Sequence, residues 1–529
     1  MQPDARHRRD PTPNSTLRGL LAETQWTQEA FARAIARLGA EAGVRLSYDR
    51  TSVARWLRGS RPSPRVQGFI AEALSRRLGR PVTVTQLGMG DGRSGGHGPR
   101  TAEGRGEPTE WTYISSARPS RPADQLAALT AAVVGPPRAD PPPAAPYQLT
   151  LLDPSAPGPA GPAAPAKGNS PAVRAGSPRA ERQPGHEGVG DVPTETPEPL
   201  RPRPPRDHSP SSRGGRPARR TAPDEVASVR EHVRFFSQQA DRHGGGHIRT
   251  TLAASLAALV RRLRTGGEGP HHPQLVAGAA RLSYLLARVY ADEQRHGLAQ
   301  RAFLTAAELA EEGDDPEGVA LVRRALSSQA HQLGHRRQSL ALAEAACASA
   351  PADAAPSARA FLFAGLAVAQ AGQGQRLRAL AALRSAEHEL ARSPADLTTG
   401  PECPDGEPVG AYQDAALHYQ AGQVRAALGD RDGAVRELRS SLRFRPEGEC
   451  RSRALSEAEL AELLLAQGRL EEACAAWELF LEDSALIRSG RARRARDRMP
   501  RLLRPYAQEH CVQGLLTRAG MPLGRVTAE

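Results

Sequence analysis

Apolar positions along this chain keep a helical period in two stretches and lose it in one between them. From Ser15 to Gly88 the pattern divides into four short helices. Leu17, Leu20 and Leu21 fall on one face of Thr16–Thr24, and Thr27 stands where an N-cap belongs, ahead of Phe31, Ile35 and Leu38 in register. A third helix is predicted to begin near Thr51 and Ser52 with Val53, Trp56 and Leu57 turned inward, and a fourth runs from about Val66 to Leu78. The connection LGAEAGVRLSYDR between the second and third is long for a helical turn, so either the second helix runs on or an excursion, such as a strand around Val44 to Tyr48, is inserted. Four helices of this size make a compact bundle over residues 15–88. From 222 to about 510 the sequence is Ala/Leu-rich with a 3.6-residue period and breaks at Gly or Pro, the pattern of helices joined by tight turns.

Between them, residues 89–220 read as a Pro/Gly-rich linker, disordered because it cannot bury enough apolar surface to offset its conformational entropy. One apolar island, Asp124 to Val134 (DQLAALTAAVV), is a candidate docking helix or a transient one. The fold class expected is therefore all-α: an N-terminal helical bundle, a long linker and a C-terminal helical array.

The breaks in that array recur. Gly297, Gly334, Gly374, Gly429 and Gly468 lie 37, 40, 55 and 39 residues apart, and the longest interval holds the loop Thr398 to Pro408. Five residues after them stand Ala302, Ser339, Ala379, Ala434 and Ala473; seven before stand Tyr290, Ser327, Ala367, Gly422 and Ala461, mostly small; Pro351, Pro394 and Pro446 close three units. The clearest copies are HYQAGQVRAALGDRDGAVRELRSSLRFRP (His418 to Pro446) and ELAELLLAQGRLEEACAAWELFLED (Glu459 to Asp483). This pattern resembles the tetratricopeptide repeat in about five units from Gln274 to Ser489, a helical solenoid. The resemblance implies a concave surface that binds a peptide, a protein segment or another protomer.

Composition changes this picture in three places. A net charge of +13 points towards a polyanion, but of 71 basic residues only Lys167 is not Arg, which a GC-rich genome explains as simply. Five scattered cysteines without a CxxC pair, together with a charged N-terminus and no long apolar run, suggest a reduced, metal-free cytoplasmic protein with no membrane span. No cofactor and no enzymatic activity are expected. GDGRSG (Gly90 to Gly95) formally fits GxGxxG but lies in the linker, Lys167 is in no phosphate loop, and His243 and His247 in HGGGH, separated by three glycines, read as a turn. The basic run from Arg488 to Arg504 reads as a solvated helix capping the array, with a second nucleic-acid contact as the alternative.

Charge is also concentrated at the N-terminus, where residues 1–90 hold 15 Arg against 7 acidic residues. On the third helix Thr51, Ser52, Arg55 and Arg58 are predicted to face away from Val53, Trp56 and Leu57, offering hydroxyls and guanidinium groups suited to a major groove. TSVARWLRGSRPSP resembles the recognition helix and following turn of the Cro/repressor type of helix-turn-helix, and WTQEAFARAI its preceding helix. By that resemblance Gln28, Arg61 and Arg65 would touch phosphates. The whole arrangement looks like a group of actinobacterial regulators that includes streptomycete negative regulators of differentiation and antibiotic production. It implies a partner in double-stranded DNA, repression of developmental or secondary-metabolic genes, and a repeat domain that binds protein or peptide or forms a homodimer. The alternative expectation is a tetratricopeptide interaction scaffold without specific DNA binding.

Overall fold

A computed structural model describes residues 13–42, 44–89, 121–134, 146–152, 223–265, 269–393 and 412–520. Among them are nineteen α-helices and no strand. The first four, α1 (Ser15–Thr24), α2 (Gln28–Glu41), α3 (Arg50–Leu57) and α4 (Pro64–Leu78), form the N-terminal bundle, followed by a single 3-10 turn, Thr85–Leu87. The first three start where side chains accept from otherwise unpaired backbone amides, Asn14 from Leu17 N at 2.8 Å, Thr27 from Ala30 N at 3.1 Å and Asp49 from Ser52 N at 2.8 Å, whereas α4 starts at Pro64 without a side-chain cap. Leu17, Phe31, Ile35, Val53, Trp56, Phe69 and Leu74 fill the core.

The long connection between α2 and α3 resolves as the longer helix. The second helix runs on to Glu41, and residues 44–49 follow as an irregular segment. Val44 N donates to Gly39 O at 2.7 Å, and Tyr48 packs edge-on against Trp56 at 5.2 Å.

Within the stretch read as linker, two pieces are folded and packed. Helix α5 (Pro122–Val134) contains the apolar island and buries Leu126 and Leu129 in the core of the repeat domain. Residues 146–152, ending in the 3-10 turn Leu149–Leu152, form a strap between bundle and repeats. Tyr147 is 1% exposed, its ring stacked on His335 at 5.5 Å and 1°. The strap backbone is held from both sides. Tyr147 O accepts from Arg76 at 2.9 Å, Leu149 N donates to Glu72 at 2.9 Å, and Gln148 exchanges two hydrogen bonds with Gln300 at 2.7 and 2.8 Å. Arg76 also binds Glu41 through two bonds of 2.9 Å and Glu72 through one of 2.8 Å. Burial raises the Glu72 carboxyl above its usual range. For Glu41, burial is outweighed by the His335 imidazole, 3.8 Å away, and by the two hydrogen bonds from Arg76, and its carboxyl lies below that range. Apart from Met89 and Arg121, the rest of 89–220 lies outside the described residues, as does the loop Thr398 to Pro408.

The repeat domain opens with α6 (Pro223–His243) and α7 (Gly245–Thr265). Five tight hairpins follow: α8 (His272–Asp292) with α9 (His296–Glu312), α10 (Pro316–Gln332) with α11 (Arg336–Ser349), α12 (Pro356–Gly372) with α13 (Arg376–Ala391), α14 (Asp414–Ala427) with α15 (Arg431–Phe444), and α16 (Cys450–Ala466) with α17 (Leu470–Ala485). The last elements are α18 (Gly490–Leu503) and α19 (His510–Arg518).

Small positions sit where the helices of a hairpin meet. Ser339, Ala379, Ala434 and Ala473 are wholly buried, and Ser327 Oγ donates to Ser339 O at 2.7 Å across its hairpin. Gly334, Gly374, Gly429 and Gly468 take the left-handed turn conformation. In the first unit the sequence expectation is off by three residues. Gly297 is buried within α9, and the left-handed turn residue is Gln294, φ 64°. Turn positions 294, 334, 374, 429 and 468 make the first two intervals equal at 40 residues.

The array ends meet. Arg488 N donates to His243 O at 2.8 Å and Gly246 N to Arg488 O at 3.0 Å, so the HGGGH turn is a backbone joint. Asp292 accepts from Ser489 at 2.9 Å and from Arg451 at 2.8 Å, while Arg494 donates to Gln294 at 2.9 Å. The latter bond gives Gln294 a reason to stand where other units have glycine. The basic run at 488–504 is therefore partly a seam and not only a solvated cap.

Candidate functional site

Two surfaces could carry recognition, one on the bundle and one inside the repeat domain. On α3, Thr51, Arg55 and Arg58 share an exposed face, spaced four and three residues apart. Ser52 does not join them. Asp49 caps the helix earlier than the sequence suggested, and Ser52 turns inward, 6% exposed, with its hydroxyl 2.8 Å from Asp49 Oδ1. These two hydrogen bonds hold the Asp49 carboxyl below its usual range. Gln28 is half-buried at the start of α2, Arg61 is exposed in the turn after α3, and Arg65 is half-buried with its Nε enclosed. The residues expected to touch bases are thus reduced to three on one face.

Inside the repeat domain a cavity of about 280 Å³ opens between α8, α10, α12, α14 and α16. Arg324 of α10 lies across its wall with its guanidinium carbon 3.8 Å from the centre of the Phe361 ring. Gly365 leaves the room for this, since a Cβ there would stand 2.9 Å from Arg324 Nε. Arg324 donates to Ser328 Oγ at 3.1 Å, and among the described residues its enclosed Nε has no partner and no carboxylate pairs with it. Burial lowers its affinity for its proton below the arginine norm. The acidic groups nearby are already engaged: Asp241 with Arg288 at 3.3 Å, Glu449 with Arg445 at 2.6 Å. Phe361 and Tyr412 meet edge-on at 5.3 Å, and the Tyr412 hydroxyl donates to Gln420.

Tyr419 and Arg491 also line an adjoining cavity of about 350 Å³, with His296 and Glu459. His296 is 2% exposed; burial and the nearby Arg494 push its pKa down to about 4, so the imidazole is neutral at neutral pH. Of these cavity residues the sequence singled out only Arg491, as part of the basic run. Aromatic and arginine positions on separate repeats carry no joint signal until the hairpins stack. Among the described residues no group of three or more His, Cys, Asp or Glu could hold a metal ion, and no helix is long and apolar enough to cross a membrane.

The fold defines an all-α protein with an N-terminal helical bundle and a tetratricopeptide-like helical-repeat domain. Residues 17–90 match the family described as the SP15 N-terminal domain, a description that names no activity. No curated protein matches the chain. Among solved structures, the crystal structure of BtubC (BKLC) from P. vanneervenii is 18% identical, covering 48% of this chain and 92% of that one, at a TM-score of 0.30. The crystal structure of the APC/C hetero-tetramer Cut9–Hcn1 is 16% identical, covering 56% of this chain and 47% of that one, at a TM-score of 0.29. Neither score establishes a shared fold, and the repeat architecture rests on the hairpins themselves.

Proposed function

We propose that the protein is an interaction scaffold whose repeat domain takes an acidic polypeptide segment of a partner into the cavity around Arg324. One observation carries this reading: a half-buried guanidinium laid on an aromatic ring, without a carboxylate among the described residues. A buried cation without its counter-charge is costly, and a ligand carboxylate would offset that cost. Phe361 and Tyr412 give the segment flat apolar surfaces beside the charge. In this reading the chain is not an enzyme and needs no cofactor, and a second copy of the chain is one partner it could take.

The test is selection from a displayed random-peptide library by the full chain and by Arg324→Glu. Acidic peptides enriched by the natural chain and lost with Arg324→Glu support the reading. Equal enrichment by both, or none by either, refutes it.

A second reading is specific binding of double-stranded DNA by the bundle, with gene repression as its outcome. It is favoured by the exposed face of Thr51, Arg55 and Arg58, because the strap is gripped from Arg76 and Glu72 of α4 and leaves that face of α3 exposed. Selection of bound duplexes at two salt concentrations decides it. A motif that survives higher salt and disappears in Arg55→Ala/Arg58→Ala supports it; motif-free, salt-sensitive binding does not.

A further inference from the structure

At the seam where the ends of the array meet lies an open cavity of about 620 Å³, larger than the cavity around Arg324. Five arginines line it, and they come from both ends of the array: Arg249 and Arg295 from α7 and the turn before α9, and Arg488, Arg493 and Arg496 from the approach to α18 and α18 itself. One carboxylate faces them. Glu293 is held by Arg249 at 2.6 and 2.8 Å and lies 3.5 Å from Arg295. Arg496 donates to Ala519 O at 3.0 Å, and no carboxylate among the described residues pairs with Arg488 or Arg493.

This charge is not what holds the seam. The joint is made by the backbone bonds of Arg488 with His243 and Gly246, and by Asp292 with Ser489 and Arg451. The chains approach so closely that a Cβ on Gly244 would stand 2.6 Å from Arg488 O, and one on Gly490 2.7 Å from Asp292 O. Five guanidinium groups against one carboxylate therefore repel one another across a joint that closes without them. The surplus is felt at His247, whose imidazole is held below its usual range by desolvation and by Arg488 and His243.

From this we infer that the seam cavity is a binding site for a small molecule carrying two or more phosphate groups. Guanidinium groups pair with phosphate oxygens two bonds at a time, and Arg488 and Arg493, with no carboxylate partner among the described residues, stand ready to do so. The volume falls within the range of small-molecule sites, about 300–1,000 Å³. A concavity between two turns presents no ridge to a duplex, which favours a compact polyphosphate over nucleic acid. Because arginines from both ends would grip one ligand, binding also tightens the seam. The site stands apart from the peptide reading of the Arg324 cavity, and each can fail without the other.

Calorimetric titration of the full chain with pyrophosphate and with a nucleoside triphosphate tests this. Saturable binding at one molecule per chain is expected, weakened at least about tenfold in Arg493→Gln/Arg496→Gln. Arg498→Gln removes the same charge type from the same helix but outside this lining, and should bind as the natural chain does. Amide exchange at Gly246 and Arg488 should slow when the probe is bound. Arg493, Arg496 and Arg498 are exposed, so thermal melts should confirm folding; if the double variant fails to fold, Arg493→Gln alone is read instead. Absence of binding at millimolar probe overturns the inference, as does equal weakening by Arg498→Gln. Displacement of either probe by a short random duplex at lower concentration assigns the cavity to nucleic acid and also overturns it.

Discussion

Tyr147 offers the sharpest test of how the bundle is tied to the repeats. Its ring is 1% exposed and stacked on His335, while its hydroxyl is buried with no hydrogen-bond partner among the described residues. Removing a buried aromatic ring costs about 3–5 kcal/mol, and an unsatisfied buried hydroxyl costs about 1–3 kcal/mol where it stands. Tyr147→Ala removes both, for a net loss of about 2 kcal/mol at mid-range and up to about 4 kcal/mol, whereas Tyr147→Phe removes only the hydroxyl and should be neutral or stabilising by up to about 3 kcal/mol. At roughly 1.4 kcal/mol per tenfold, the alanine variant should release the strap about 30-fold more often at mid-range and up to about 700-fold. The readout is amide exchange at Gln148 and Leu149, whose N–H groups are bonded to Gln300 and Glu72. Protection should fall in Tyr147→Ala and hold in Tyr147→Phe. Equal losses in both would mean that the hydroxyl is satisfied, and unchanged exchange in Tyr147→Ala would mean that the ring does not anchor the strap.

Other outcomes follow from the same packing. Gly374→Ala, at φ +74° with open space around it, should cost about 1 kcal/mol from backbone strain alone, while Gly244→Ala adds a clash with Arg488 and should lower the melting temperature distinctly more. Glu457, 4% exposed, has its pKa raised to about 8 by burial and by Asp483, so the folded state holds a proton that the unfolded state releases above about 4.5. Stability should therefore fall as pH rises from 4.5 to 8, and Glu457→Gln should flatten that slope and raise the melting temperature at pH 8. Burial, with Cys511 next to it, pushes the Cys474 thiol up to about 12, so iodoacetamide at pH 8 should label Cys474 only after unfolding; labelling of the folded chain at the rate of a free thiol would contradict the buried site.

By itself the sequence determined what depends on neighbours within one hairpin. Periodicity placed Phe31, Ile35, Val53 and Trp56 in the bundle core, and the small residues Ser327 and Ser339 at a hairpin contact, because helix amphipathicity and close helix approach are written a few tens of residues apart. The same local logic missed Gln294, which takes the left-handed turn without glycine, and Ser52, whose inward turn depends on Asp49 capping α3. What only the tertiary structure decided was long-range. Asp292 meets Ser489 from 197 residues away, Tyr147 closes on His335, and Arg249 and Arg295 converge on one cavity with three arginines of the basic run about 200 residues further on. The physical reason is that such contacts arise from the accumulated packing of successive hairpins, to which each contributes a small rotation, and no window of sequence contains both partners.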